Sequence, residues 1–317
     1  MVIGDMVADV YLEGKVSRIS REAPVLILEH TAEVVVPGGA ANTVHNAATL
    51  GGIALASGVI GHDSAGSELL RVLGDKGVII DGLVIDNLRP TITKTRVMAG
   101  GQATVRQQIV RIDRETEKPL SPLTEETLLN WVKNNIDGVS AVVISDYGSG
   151  TVTPALRTWV VNTCRERSIP SLVDSRYDIA AYSGIAVVKQ NEAEAAAALG
   201  LKVIDANAMD QAGMELLTCI NAEAVLITRG PAGMSLFEKS RKPVHMPVTN
   251  KSEVYDVTGA GDTVVATMAL ALAAGGSYVE AAALANLAAG VVVRKPGTAT
   301  IIPQELRKAI EVYYENH

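Results

Sequence analysis

From residue 124 onward, short apolar runs alternate with helix-forming stretches, and this rhythm leaves few folds open. A helix over 125–134 leads to Ala141-Val-Val-Ile-Ser145, and a helix over 154–167 leads to Ser171-Leu-Val-Asp174. Ile185-Ala-Val-Val188 precedes a helix over 192–199, and a helix over 209–220 precedes Ala224-Val-Leu-Ile-Thr228. Short apolar strands that alternate with helices form βαβ units, hence a mainly parallel sheet covered on both faces. The expected class is therefore α/β, with a doubly wound sheet. No Pro/Gly/Ser-rich linker and no internal repeat divides residues 1–317, so a single domain is expected.

The first third is different. Met1-Val-Ile-Gly-Asp5 reads as a short buried strand ending in a turn, with Asp5 and Asp9 at its carboxyl end, where open parallel sheets place ligands. Residues 10–36 carry two β-rich runs, Val25-Leu-Ile-Leu28 and Val34-Val-Val36, and residues 90–112 contain a second hairpin pattern about Gly100-Gly101. Both segments are expected to protrude as a small separate sheet. Lys94, Arg96, Arg106 and Arg111 make the second segment basic, and alternation sends Lys94 and Arg96 to one side. A solvated strand face is the plain alternative to a phosphate-facing one.

Composition removes several classes. With 48% hydrophobic and 20% charged residues the chain can bury a sizeable core, and a net charge of −7 argues against a nucleic-acid surface. Cys164 and Cys219 are too few for a disulfide framework or a Cys-rich zinc site, and both are expected to be buried thiols in helices. No apolar run is long enough for a membrane span and no signal peptide is recognisable, so the expected location is the cytoplasm.

The chemistry concentrates in Asp256-Val-Thr-Gly-Ala-Gly-Asp262, which opens directly into an apolar helical segment. Gly259, Ala260 and Gly261 leave bare backbone at a helix start, where unpaired N–H groups and the helix dipole favour an anion. Asp262 adds a carboxylate to that anion site, a pairing suited to phosphoryl transfer. A tight turn with a first-turn aspartate is the bland reading of the same residues. Gly38-Gly39 opens another helix with Asn42 inside it, and three strand ends carry polar groups: Asp146-Tyr-Gly, Asn191-Glu-Ala-Glu194 and Thr228-Arg-Gly-Pro-Ala-Gly233. Asn286 is a polar residue within an otherwise apolar helix over 278–294. His62-Asp63 reads as a helix cap. GxxxxGK[ST], HExxH and the protein-kinase landmarks are missing, so phosphates are expected to be held by backbone N–H groups and a divalent ion.

Asp256–Asp262 and Pro37-Gly-Gly-Ala-Ala-Asn-Thr-Val-His-Asn-Ala-Ala-Thr-Leu-Gly-Gly52 resemble the two signatures of the ribokinase-like (PfkB) carbohydrate kinases. The resemblance implies a three-layer ribokinase-like fold with the small sheet as a lid over the sugar. It implies Asp262 as the base, Gly259–Gly261 as the anion hole, and ATP on Asn191, Glu194, Thr228, Gly230, Gly233 and Asn286. Glu194 would meet Mg²⁺, largely through water, and Asp256 and Thr258 a monovalent cation such as K⁺. Asp5, Asp9, Gly38, Gly39, Asn42, Lys94, Arg96 and Arg106 would face the sugar. Within the family, Ser17-Arg-Ile-Ser-Arg-Glu-Ala-Pro24, Pro90-Thr-Ile-Thr-Lys-Thr-Arg96 and Ser145-Asp-Tyr-Gly148 are most similar to the kinases of D-glycero-D-manno-heptose 7-phosphate. Ser149 and Gln190 depart from that pattern, standing where Lys and Pro are usual. A homodimer through the lid sheets and a kinase without the nucleotidylyltransferase domain of many relatives are further expectations. A kinase of another sugar, sugar phosphate or nucleoside is the alternative, with a non-catalytic sugar or nucleotide sensor as the rival from another class.

Overall fold

A computed structural model describes residues 1–100, 107–116, 118–205, 207–249 and 256–315. The chain opens with β1 (Val2–Gly4), β2 (Met6–Ile19), β3 (Leu26–Gly39) and α1 (Ala40–Thr49). Next come β4 (Leu55–Gly61), α2 (Ser64–Asp75), β5 (Ile79–Asp86), β6 (Ile92–Gly100) and β7 (Gln107–Arg114). The alternating half holds α3 (Pro122–Asn135), β8 (Val142–Asp146), α4 (Pro154–Glu166), β9 (Ser171–Ser175), β10 (Val187–Asn191), α5 (Glu192–Ala198), α6 (Met209–Ile220) and β11 (Ala224–Thr228). It closes with β12 (Met234–Glu238), β13 (Val244–Met246), α7 (Ala260–Ala273), α8 (Tyr278–Val292) and α9 (Pro303–Glu315).

The larger sheet runs β13-β12-β11-β10-β9-β8-β1-β4-β5. All pairs from β11 to β5 are parallel, and β12 and β13 add an antiparallel edge. Neighbouring residues on one strand feed opposite faces. Val143, Leu172 and Val187 join a core with α1, α2, α7 and α8, whereas Ile144, Val173 and Val188 join a core with α3, α4 and α6. A strand buried on both faces has no polar side to show, which is why these runs are continuously apolar. The result is the expected three-layer α/β fold.

Two Ala-rich helices, α7 and α8, pack against each other and leave little of either exposed. Ser277 and Glu280 form a reciprocal capping box at the start of α8, a device that typically stabilises a helix by about 1 kcal/mol. Asp63 caps α2 by accepting from Gly66 N–H at 2.9 Å, and it also binds Thr91. Asp63 is therefore a helix cap, as expected.

The smaller sheet runs β3-β2-β6-β7. Its strands start nearer the main sheet than the sequence pattern indicates. The chain stays extended from Met6, and the two β-rich runs at 25–28 and 34–36 fall within or beside one strand, Leu26–Gly39. The root of β2 is buried through Val10, and the tips are exposed. Cys164 is buried, but Cys219 is exposed. The buried stripe of α6 runs through Met209, Ala212, Gly213, Leu216, Leu217 and Ile220, and Cys219 falls outside it. A helical position alone does not bury a thiol.

Candidate active site

The carboxyl ends of β8, β9, β10 and β11 open together under the start of α7. This is where a doubly wound sheet places ligands. A cleft of about 1050 Å³ fills the space between these strand ends, α7, α8 and the lid. Its walls include Asp262, Gly259, Ala260, Gly261, Asn191, Glu194, Thr228, Gly230, Gly233 and Asn286, brought together from four separate stretches of sequence. Lys94, Arg96 and Arg111 project into it from the lid. Arg106 lies outside the described residues.

Asp262 sits in the first turn of α7 and is 4% exposed. Asn42 Nδ2 donates to its Oδ2 at 2.8 Å, and the Tyr147 hydroxyl donates to its Oδ1 at 2.9 Å. Asn46 Nδ2 in turn donates to Asn42 Oδ1 at 3.0 Å, so the amide of Asn42 is oriented with its donor end toward the carboxylate. Burial raises the Asp262 pKa to about 6; Asp174 adds to the rise, while Asn42, Tyr147 and Lys189 oppose it. A carboxylate poised near neutrality accepts a proton far better than one near 4. Gly259 begins the helix with φ of 75°, a backbone state that disfavours side chains, and a Cβ there would lie 2.6 Å from Asn42 Nδ2.

Tyr147 was hidden in a strand-end motif that also reads as a turn. Its ring lies beneath Arg176 at 4.7 Å and Lys94 at 5.6 Å, distances suited to cation–π contact. Asp5, expected at the sugar, does not line the cleft. Its buried carboxylate accepts the N–H groups of Tyr147, Ser149 and Thr151 at 2.8, 3.1 and 3.2 Å. Asp5 thus holds the loop that presents Tyr147. Asp9 is buried and accepts from Arg96 Nη1 at 2.6 Å, orienting the guanidinium beside the cleft. Gly38 packs on the Asp9 carboxylate, and Gly39 caps α1, which delivers Asn42.

Asn191 and Glu194 form a capping box on α5: Asn191 Oδ1 accepts Glu194 N–H, and Glu194 Oε2 accepts Asn191 N–H, both at 2.9 Å. The cap accounts for about 1 kcal/mol of helix stability. It does not use Glu194 Oε1, which lies 3.8 Å from Arg176 Nε. Among the described residues no group of three or more His, Cys, Asp or Glu could hold a metal ion. One carboxylate suits a largely hydrated Mg²⁺ carried on nucleotide phosphates. Asp256 accepts from the N–H groups of Thr258 and Gly297 at 2.9 and 3.0 Å, and its pKa is lowered by these hydrogen bonds against an opposing burial effect. Asn286 Nδ2 donates to the Pro247 carbonyl at 2.8 Å.

The sequence motifs also gave no sign of a buried ion pair beneath the start of α7. Lys189 Nζ donates to Asp174 Oδ2 at 2.9 Å, with side chains only 7% and 11% exposed. Such pairs commonly add little over apolar residues of equal volume, whereas losing one partner costs about 3–5 kcal/mol. Stability alone does not explain why this pair lines a cleft.

A buried carboxylate beside a bare helix start, in a cleft that five cations border, suits phosphoryl transfer. The chain matches the pfkB family carbohydrate kinases over residues 1–305 and belongs to that family. It is therefore a kinase that acts on a sugar hydroxyl. It is 40% identical over 317 residues to the bifunctional protein HldE of Pelobacter propionicus, covering 100% of this chain and 64% of that one. It is 42% identical over 307 residues to the bifunctional protein HldE of Geobacter sulfurreducens, covering 96% and 61%. The chain thus spans less than two thirds of these relatives. Phosphofructokinase-2 from Escherichia coli, in complex with substrates and products, shares the fold with a TM-score of 0.80 and 21% identity, over 99% of this chain and 98% of that one. Arabidopsis thaliana ribokinase complexed with ribose and ATP gives a TM-score of 0.73 and 21% identity, over 98% and 97%.

With Asp262 as the base, its ionised form is lost as pH falls through about 6, so kcat/KM should drop about tenfold per pH unit below that point. Tyr147→Phe removes a donor that favours the charged form, which should move the acid limb to higher pH. A limb near 4, or one that Tyr147→Phe leaves in place, would contradict the assignment.

Proposed function

We propose that this enzyme transfers the γ-phosphoryl group of ATP to the anomeric hydroxyl of D-glycero-D-manno-heptose 7-phosphate, giving the 1,7-bisphosphate. The observation that carries this reading is the polarity of the cleft. Asp262 and Gly259–Gly261 stand at one part of it, and Lys94, Arg96 and Arg111 enter from the lid. Arg96 pairs with Asp9 at 2.6 Å, Arg111 with Asp113 at 2.8 Å and Lys94 with Glu115 at 3.8 Å, and the N–H groups these pairs leave over suit the phosphate of a sugar phosphate, which an unphosphorylated sugar lacks. The similarity to HldE proteins over nearly all of this chain supports the heptose.

In the proposed reaction Asp262 accepts the proton of the anomeric hydroxyl as the sugar oxygen forms its bond to the γ-phosphorus. The bond from that phosphorus to the β,γ-bridging oxygen breaks and ADP leaves. The N–H groups of Gly259, Ala260 and Gly261 steady the phosphoryl oxygens. Thr228, Gly230, Gly233 and Asn286 border the nucleotide, with Asn191 and Glu194 near its phosphates. Glu194 would hold Mg²⁺ together with the nucleotide phosphates, where the ion would supply charge neutralisation. Asp256, kept ionised by its two amide donors, and Thr258 are assigned a monovalent cation, K⁺ being the candidate.

The test is ATP consumption with a panel of sugars and sugar phosphates, run in potassium and in sodium. Heptose 7-phosphate should be the best acceptor, and Asp262→Asn should abolish turnover while ATP still binds. Turnover of ribose-like sugars but not the heptose would move the substrate elsewhere in the family. No ATP use with any acceptor would favour a sensor, and equal rates in both salts would remove the cation.

The lid also leaves Val16, Ile19, Leu26, Val34, Ile109 and Ile112 exposed. A second copy of this chain, pairing lid to lid, would cover such a surface. Sedimentation at micromolar concentration should give the mass of a dimer; a monomer mass that persists at higher concentration would contradict it.

A further inference from the structure

We propose that Lys189 is a catalytic residue of this kinase, an ammonium that contacts the phosphoryl group in flight from the floor of the anion hole. The inference rests on the phosphotransfer reading above and adds a residue that its motifs do not contain. The sequence lacks a P-loop lysine, so backbone N–H groups and a divalent ion were expected to hold the phosphates unaided. The structure places a lysine there by another route.

Lys189 lies near the carboxyl end of β10, two residues before Asn191, and its side chain lines the cleft. Its Nζ would sit 2.7 Å from a Cβ on Gly261, and the Asp174 carboxylate 3.8 Å from the same point. Gly261 therefore has no side chain to separate the ammonium from the helix start. Asp174 on β9 takes one of the three N–H bonds of Lys189 and fixes its direction. Among the described residues the other two have no hydrogen-bond partner, which leaves them for a ligand oxygen. Asp174, Glu194 and Asp262 together keep the ammonium protonated against the opposing effect of burial. A fixed cation beside backbone N–H groups, out of bulk water, is oriented before the reaction begins and costs no reorganisation as charge develops.

The step keeps its balance. Lys189 gives up no proton and forms no bond; its N–H groups bind nonbridging oxygens of the γ-phosphoryl group while the sugar oxygen attacks. Asp174 acts through Lys189 and is a positioning residue.

A merely structural ion pair and a catalytic lysine differ in what happens when both charges are removed. If the pair only holds β9 to β10, Lys189→Met would be damaging and the double variant Lys189→Met/Asp174→Asn would recover. If Lys189 contacts the phosphoryl group, the double variant folds but stays slow. We expect both variants to lose about 10²–10³-fold in kcat, with KM for ATP and acceptor changed by less than about threefold. Calorimetric titration adds a readout independent of turnover. Both variants should bind ADP as the wild type does, but should lose at least tenfold in affinity for ADP with aluminium fluoride and acceptor, a mimic of the transferring group. Lys189→Gln, similar in length and still a donor to Asp174, serves if methionine unfolds the strand. Recovery of wild-type kcat by the double variant, or unchanged binding of the fluoride complex, would overturn the role of Lys189. A wild-type protein that phosphorylates no acceptor would instead overturn the functional reading.

Discussion

The site depends on keeping one carboxylate, Asp262, almost completely out of water and still able to ionise. Burial alone would leave a neutral acid. Donors from Asn42 and Tyr147 and the nearby charge of Lys189 oppose that tendency, and the outcome is a group that titrates at about 6. Each of these partners comes from a different part of the chain: α1, the loop after β8, and β10. The parallel sheet is what makes such convergence possible, because it delivers several strand ends to one edge with little freedom to drift.

The electrostatics of the cleft run against those of the molecule. The chain carries a net charge of −7, yet Lys94, Arg96, Arg111, Arg176 and Lys189 all border one cavity. Acidic neighbours hold several of them in place: Asp9 orients Arg96, and Asp174 orients Lys189. These pairs add little net stability, so their value lies in presenting cations at fixed positions. The proposed reaction would bring two anions to such a cleft, the phosphates of ATP and the distal phosphate of the sugar.

Much of this was legible in the sequence, and the exceptions have a common cause. The apolar runs of β8 to β11 announce a parallel sheet because strands covered on both faces cannot alternate. The boundaries of α6 and β11 follow directly from that pattern, and Asp256–Asp262 announces its anion site because bare glycines and a carboxylate have local meaning. Tyr147, Asp174 and Lys189 have none; a tyrosine after a strand or a lysine within one acquires a role only from what faces it across the fold. Asp5 shows the reverse. Its place at a strand end suggests a ligand, but three amides of the 147–151 loop take up its carboxylate. The lid strands were misjudged at their roots because the chain passes between the sheets at the single residue Asp5, where a turn was expected, and stays extended from Met6 and again up to Gly39.

A crystal structure of the enzyme with ADP, Mg²⁺ and D-glycero-D-manno-heptose 7-phosphate tests the central claim most directly. The expected result is the anomeric hydroxyl within hydrogen-bonding distance of Asp262, with the 7-phosphate on Lys94, Arg96 and Arg111. A sugar bound in reverse, with its phosphate at Asp262, or bound away from both groups, would contradict it.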